Sequence, residues 1–127
     1  MPPLELYSFA YQAMPQSLRV LLVDEDAHSR SAIAYGFARE KVAVLPAASA
    51  DEGAQLLVDQ SIQTVVVNLP GEPGRAFVRR IRSRALVSTV PIILVTDRAE
   101  RAAGHAAGAT DVLDRPAFLR DIVTLTR

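Results

Sequence analysis

The strongest constraint on the fold of this chain is an alternation. Short runs of aliphatic and β-branched residues recur at 18–23, 42–45, 64–67, 91–95 and 110–113. Runs of that length, bounded by turn residues, predict strands buried on both faces. Helical spacing fills the gaps. Ile33 and Phe37 lie four apart and share one helix face. Ala54, Leu57 and Val58 are expected inward on a second helix, and Phe77, Val78 and Ile81 on a third that starts near Gly74. An Ala-rich fourth helix runs over 98–107. Phe118, Ile122 and Leu125 form the apolar side of a fifth. Five β-α units in succession imply an α/β fold, doubly wound, with a parallel sheet covered on both faces.

Local punctuation agrees with that reading. Asp26 can cap the first helix. Ser49-Ala50-Asp51-Glu52 is a capping-box pattern, in which Ser and Glu satisfy free N–H groups at a helix start. Pro91 stands at the first position of a strand, where a missing N–H is tolerated. Gly108 stops the fourth helix, and Pro116 opens the last one at little cost.

With 127 residues the chain is long enough for one domain with a full core. It has no Cys, which removes a disulfide framework, a Cys-based zinc site and a thiol nucleophile. That also fits a reducing cytoplasm, the expected location. Formal net charge is zero, so no global field favours nucleic acid or anionic lipid. No apolar run approaches the roughly 20 residues of a membrane span, and no membrane role is expected. The N-terminus shows no basic region followed by a long apolar stretch, so no signal peptide is read.

Residues 1–17 differ from 18–127 and form an N-terminal extension to the domain. Met1-Pro2-Pro3 resists regular structure, and Leu4, Leu6, Tyr7, Phe9 and Tyr11 make an apolar-aromatic cluster before Pro15. A loose tail is the simplest reading. Three aromatics in one tail would be an unusual solvated surface, and docking on the domain or on a partner is the other.

In a doubly wound sheet, functional groups gather at the carboxyl ends of the strands. The first strand ends in Asp24-Glu25-Asp26, the third in Asn68, and the fourth in Thr96-Asp97. The fifth is followed by Asp114-Arg115-Pro116. Parallel neighbours lie about 4.8 Å apart, so these groups converge on one crevice. Over residues 18–127 the chain here resembles the receiver domain of bacterial two-component response regulators. Leu22-Val23-Asp24-Glu25-Asp26, Val95-Thr96 and Gly108-Ala109 with Arg115-Pro116 match that family's motifs. The resemblance implies a flavodoxin-like (βα)5 fold with strand order 2-1-3-4-5. It also implies an acidic pair that binds Mg²⁺, an Asp after the third strand that takes a phosphoryl group, and a Ser/Thr and a Lys that bind its oxygens.

The departures are as informative. Asn68 stands where the resemblance requires the acceptor Asp. A carboxylate can attack a phosphoryl group and form an acyl phosphate, whereas an amide carries no full negative charge and cannot do so at a useful rate. The stretch from Asn68 to Pro70 is about two residues shorter than the family's spacing, which displaces a backbone carbonyl ligand. Arg115 replaces a Lys, and the two are not interchangeable at a tight site. Val112 stands where an aromatic switch residue is often found. Asp24 and Glu25 against Arg115 give the pocket a net −1, before Asp26, Asp97 and Asp114 are considered. Arg115 is therefore expected to pair with Asp24 or Asp97 as an internal counter-ion, and neither metal nor cofactor is expected.

Other signals have simpler explanations. Arg75, Arg79, Arg80, Arg82 and Arg84 crowd the third helix and read as a solvated face; nucleic-acid binding through them is a weaker alternative. His28 and His105 stand alone, without ligand partners. There is no Walker or dinucleotide fingerprint and no Ser-His-Asp arrangement, and the chain is not read as an enzyme. The expected function is that of a degenerate, phosphorylation-independent receiver serving protein–protein recognition. The alternative is an active receiver or small phosphotransfer enzyme using Asp24 or Asp26. The partner would be another protein or a fused output domain, which was either cut away or never existed. A homodimer is expected through the face of the fourth helix, fifth strand and fifth helix, with Ala102, Ala106, Val112, Phe118 and Ile122 at the contact.

Overall fold

A computed structural model describes residues 18–84, 87–115 and 119–126. In chain order they form β1 (Arg19–Asp24), α1 (Ala27–Arg39), β2 (Ala43–Ala47), α2 (Ala50–Asp59), β3 (Thr64–Asn68) and α3 (Glu72–Arg82). There follow β4 (Ile92–Thr96), a 3-10 turn (Arg98–Glu100), α4 (Arg101–Ala107), β5 (Asp111–Asp114) and α5 (Leu119–Thr126). All strands are parallel, in the order β2-β1-β3-β4-β5. The order reverses beside β1, so the crevice expected of a doubly wound sheet opens between β1 and β3.

The two faces of the sheet bury separate cores. Leu21, Val23, Val65, Val67 and Leu94 pack with Leu57, Phe77, Val78 and Ile81 under α2, α3 and α4. Val20, Leu22, Val66, Ile93 and Val95 pack with Ile33, Phe37 and Ile122 under α1 and α5. Because side chains alternate along a strand, each central strand feeds both cores. That is why β1, β3 and β4 read as unbroken apolar runs.

The helix starts follow their caps. Asp26 accepts from the backbone N–H of His28 and Ser29 at 2.8 and 3.0 Å. Ser49 Oγ accepts from Glu52 N at 3.1 Å, while Glu52 Oε2 accepts from Ala48 N rather than from the capping residue itself. The capping box is thus closed one residue upstream of the expected donor.

Several expectations are corrected. Val58 was expected inward, but it is 64% exposed, because α2 turns Ala54 and Leu57 to the core and carries Val58 past its edge. Leu125 on α5 is likewise exposed. The segment 98–107 is a 3-10 turn followed by a seven-residue helix, not one helix. The third helix starts at Glu72, two residues before Gly74, with Gly71 as its N-cap at φ 69°. Val112 and Ile122 are buried core residues and present no surface for a dimer, whereas Ala102 and Ala106 are exposed. Phe118, Pro116 and the extension 1–17 lie outside the described residues.

Candidate functional site

Asp24 and Asn68 are register partners at the ends of β1 and β3. Their side chains meet there: Asn68 Nδ2 donates to Asp24 Oδ2 at 3.0 Å. Asp24 is 1% exposed, and the hydrogen-bonding capacity of its carboxylate is taken up locally. Oδ1 accepts from the backbone N–H of Asp26 at 2.9 Å, and Oδ2 also accepts a short bond from Ser29 Oγ. The Asp24 backbone carbonyl accepts from Arg30 Nη1 at 2.8 Å. A buried carboxylate is tolerable only when hydrogen-bonded, and here three donors surround it.

Asp24, Glu25, Asp26, Ser29, Asn68, Pro70 and Arg115 line a cleft of about 520 Å³. Glu25 and Asp26 are exposed at its rim. The backbone N–H groups of Ser29 and then His28 hold the Asp26 carboxyl below the usual carboxylate range, so that group is engaged as a helix cap. The connection from β3 to α3, which contributes Asn68 and Pro70 to the cleft, is tight. A Cβ on Gly74 would lie 2.3 Å from the Leu69 carbonyl oxygen and 3.3 Å from Leu94 Cδ1. The first turn of α3 therefore rests directly on the chain leaving Asn68, and only Gly fits there.

The sequence placed Thr96 and Asp97 in the same crevice, but neither lines this cleft. Thr96 is 2% exposed, and its Oγ1 donates to Glu100 Oε2 at 3.2 Å. Glu100 in turn pairs with Arg75 at 3.0 Å, and Arg75 with Glu72 at 3.1 Å. Glu100 foremost, with Glu72, raises the Arg75 guanidinium above its ordinary range. A chain of charges thus ties the end of β4 to the start of α3 and engages the Thr96 hydroxyl. Asp97 is exposed, and its side chain makes no capping bond to the 3-10 turn.

Arg115 reaches the cleft by another route than the one expected. Among the described residues it forms no ion pair with Asp24 or Asp97. Its backbone N–H donates to Thr96 O at 2.9 Å, and Nη2 donates to Val95 O at 3.3 Å. One carbonyl near the end of β4, that of Val95, engages the guanidinium, and the next, that of Thr96, engages the Arg115 backbone. Its Nε and Asn68 Oδ1 are both buried without a hydrogen-bond partner among the described residues.

The Mg²⁺ that the resemblance implies does not fit these donors. The cation demands oxygen lone pairs in near-octahedral geometry. Here Asn68 turns its NH₂ to the Asp24 carboxylate, and that carboxylate already accepts three bonds. No group of three or more potential metal-ligating side chains occurs among the described residues.

The arginines of α3 are mostly answered by protein groups. Arg79 pairs with Glu72, and Arg80 with Asp51 at 2.9 Å. Arg82 was read as part of a solvated face, yet it is a partly buried staple. Nε donates to Gly108 O at 2.8 Å, Nη1 to Ser88 O and Val90 O, and Nη2 to Thr110 Oγ1 at 3.1 Å. His28 and His105 are exposed. Sequence reasoning missed Ser29, Glu100 and this role of Arg82. Periodicity gave no signal for the first two, since Ser29 and Glu100 each bond to a residue at a strand end, Asp24 and Thr96.

Comparison with known proteins agrees with this fold. Residues 20–127 match the family model described as the response regulator receiver domain. The chain belongs to that family. It is 32% identical over 109 residues to the TorCAD operon transcriptional regulatory protein TorR of Escherichia coli K12, covering 82% of this chain and 46% of TorR. It is 28% identical to the phosphate regulon transcriptional regulatory protein PhoB of Pseudomonas aeruginosa, again covering 82% of this chain and 48% of PhoB. The chain thus spans about half the length of the curated relatives it matches. Among solved structures, a putative response regulator from Chloroflexus aurantiacus superposes with TM-score 0.79 at 27% identity, covering 87% of this chain and 94% of that one. The chemotaxis response regulator CheY4 of Vibrio cholerae gives TM-score 0.78 at 21% identity, covering 88% and 100%, a likeness of fold. No helix among the described residues is long and apolar enough to cross a membrane.

Proposed function

We propose that this receiver domain works without accepting a phosphoryl group, as a cytoplasmic protein–protein interaction module of two-component signalling. The bond from Asn68 Nδ2 to Asp24 Oδ2 carries the reading. It supplies a hydrogen bond where an active site would need a second carboxylate, so the charge that would attract a divalent cation and attack phosphorus is missing. Two further features support it. Thr96 is engaged by Glu100, and Arg115 by the Val95 carbonyl.

The rival, phosphoryl transfer through Asp24 or Asp26, has less to recommend it. Asp24 is buried and accepts three bonds, and Asp26 caps α1. A nucleophile so engaged is a poor one, because its oxygen lone pairs are already committed to donors.

In this reading the output conformation is fixed, or is set by a partner. The partner is a protein or an output domain on the same polypeptide. The exposed Ala102 and Ala106 of α4 allow close approach on that side, including by a second copy. Incubation with acetyl phosphate in millimolar Mg²⁺, followed by intact mass, tests the proposal. An unchanged mass is expected, and stable gain of one phosphoryl group would overturn it.

A further inference from the structure

We propose that the chain's own N-terminal segment docks in an apolar groove on the opposite end of the sheet from the acidic cleft. The groove has a volume of about 600 Å³ and lies between the end of α2 and the segment after α3. Leu57 forms its buried floor. Val58, 64% exposed, stands at its wall with the half-buried Ile62 and Val87, and Gln60, Ser61 and Arg84 complete the rim.

The occupant follows from where the chain enters the fold. Arg19, the first residue of β1, donates its backbone N–H to Gln63 Oε1 at 2.7 Å and accepts at its carbonyl from Gln63 N at 3.0 Å. The same Gln63 side chain donates from Nε2 to Ser61 Oγ at 3.3 Å, on the groove rim. A single side chain therefore joins the point where residues 1–17 leave the domain to the groove itself. β1 and β3 are adjacent strands, about 4.8 Å apart, and an extended chain covers about 3.3 Å per residue. A few residues before Leu18 suffice to reach the groove.

The chemistry matches as well. Leu4, Leu6, Tyr7, Phe9 and Tyr11 give residues 1–17 the apolar and aromatic side chains that a groove lined by Val58 and Ile62 would take. Tyr buries a ring while keeping its hydroxyl at a polar rim, and Gln60 and Ser61 offer that rim. Glu5 is the one charged side chain of residues 1–17, and Arg84 provides a guanidinium beside the apolar wall. Docking would cover Val58 and the tail's aromatics together.

The test uses the full chain and its lack of Cys, which lets one introduced thiol carry a nitroxide. With Ser8→Cys labelled, amide signals of Leu57, Ser61, Ile62 and Val87 should be strongly broadened. Dilution with unlabelled chain should leave that broadening unchanged. An independent, label-free reading comes from Val58→Arg, which should move the amides of Tyr7, Phe9 and Tyr11 to free-peptide positions. Tail amides already at free-peptide positions in the parent, or unmoved by Val58→Arg, would overturn the proposal. So would broadening centred on α4 and β5, or broadening that dilution removes, the signature of a second copy in the groove.

Discussion

Asn68 Nδ2 lies 3.0 Å from Asp24 Oδ2, so the residue at the acceptor position is a hydrogen-bond donor to the buried carboxylate across the crevice. The pair brings a neutral donor to the buried carboxylate at the strand ends. A buried carboxylate that accepts from an amide, a hydroxyl and a backbone N–H is satisfied internally.

Asn68→Asp tests that pairing. The substitution places a second carboxylate against Asp24 Oδ2 and removes the donor. Like charges at this distance repel, and losing the donor leaves the buried carboxylate one hydrogen bond short. At pH 7 we expect a loss of about 1–3 kcal/mol. Urea unfolding measures it; an unchanged stability would contradict the pairing. The variant alone is also expected not to be phosphorylated by acetyl phosphate, because the tight β3–α3 connection and Arg115 remain.

The Thr96–Glu100 bond predicts a cost for releasing the hydroxyl. Glu100→Ala should destabilise the domain by about 1 kcal/mol and move the Thr96 methyl resonance, while leaving the Asn68 side-chain amide in place. A methyl signal that stays where it is would mean that the hydroxyl is held by something else.

Much of this arrangement was legible in the sequence, and the limits are physical. The buried strands announced themselves because side chains on both faces are apolar, and their ends located Asp24, Asn68 and Thr96. The caps Asp26 and Ser49 followed from residue chemistry next to a helical period. What could not be read was the direction of long side chains. Arg115 was expected on Asp24 or Asp97 by charge alone, yet backbone carbonyls at the end of β4 hold it. Val58 shares the helical spacing of Leu57 but falls beyond the edge of the α2–sheet contact. Whether an arginine faces solvent or folds back onto carbonyls, as Arg82 does, depends on the loops around it, which periodicity does not report.

Arg82 yields the largest stability prediction. It donates to three backbone carbonyls and a threonine hydroxyl, joining α3 to the chain before β4 and to the end of α4. Burial lowers its pKa from the ordinary arginine value, but it remains charged at any accessible pH. Arg82→Met keeps the stem and removes the donors, and should cost about 2–4 kcal/mol. Arg79→Met, whose partner is the exposed Glu72, should cost much less. Equal losses in thermal or urea unfolding would contradict the staple.

Asp26 predicts a pH dependence. Its folded-state carboxyl is held low by the Ser29 and His28 backbone N–H groups, so its contribution is present above the unfolded value and lost as pH falls through the folded one. Asp26→Asn keeps a capping oxygen and removes the titration. Its stability should therefore change less than the parent's between about pH 5 and pH 2. Parallel acid-unfolding curves would rule out the capping carboxylate as a source of that dependence.

On the proposed function, position 68 holds no phosphoryl group and no neighbour takes its place. The most direct measurement is intact-protein mass spectrometry of the full chain after acetyl phosphate and Mg²⁺, with a phosphorylatable receiver treated in the same tube. The mass of this chain should stay unchanged while the control gains one phosphoryl group. A labile adduct of that mass on this chain, mapped by peptide sequencing to Asp24, Asp26 or any residue of the cleft, would contradict it.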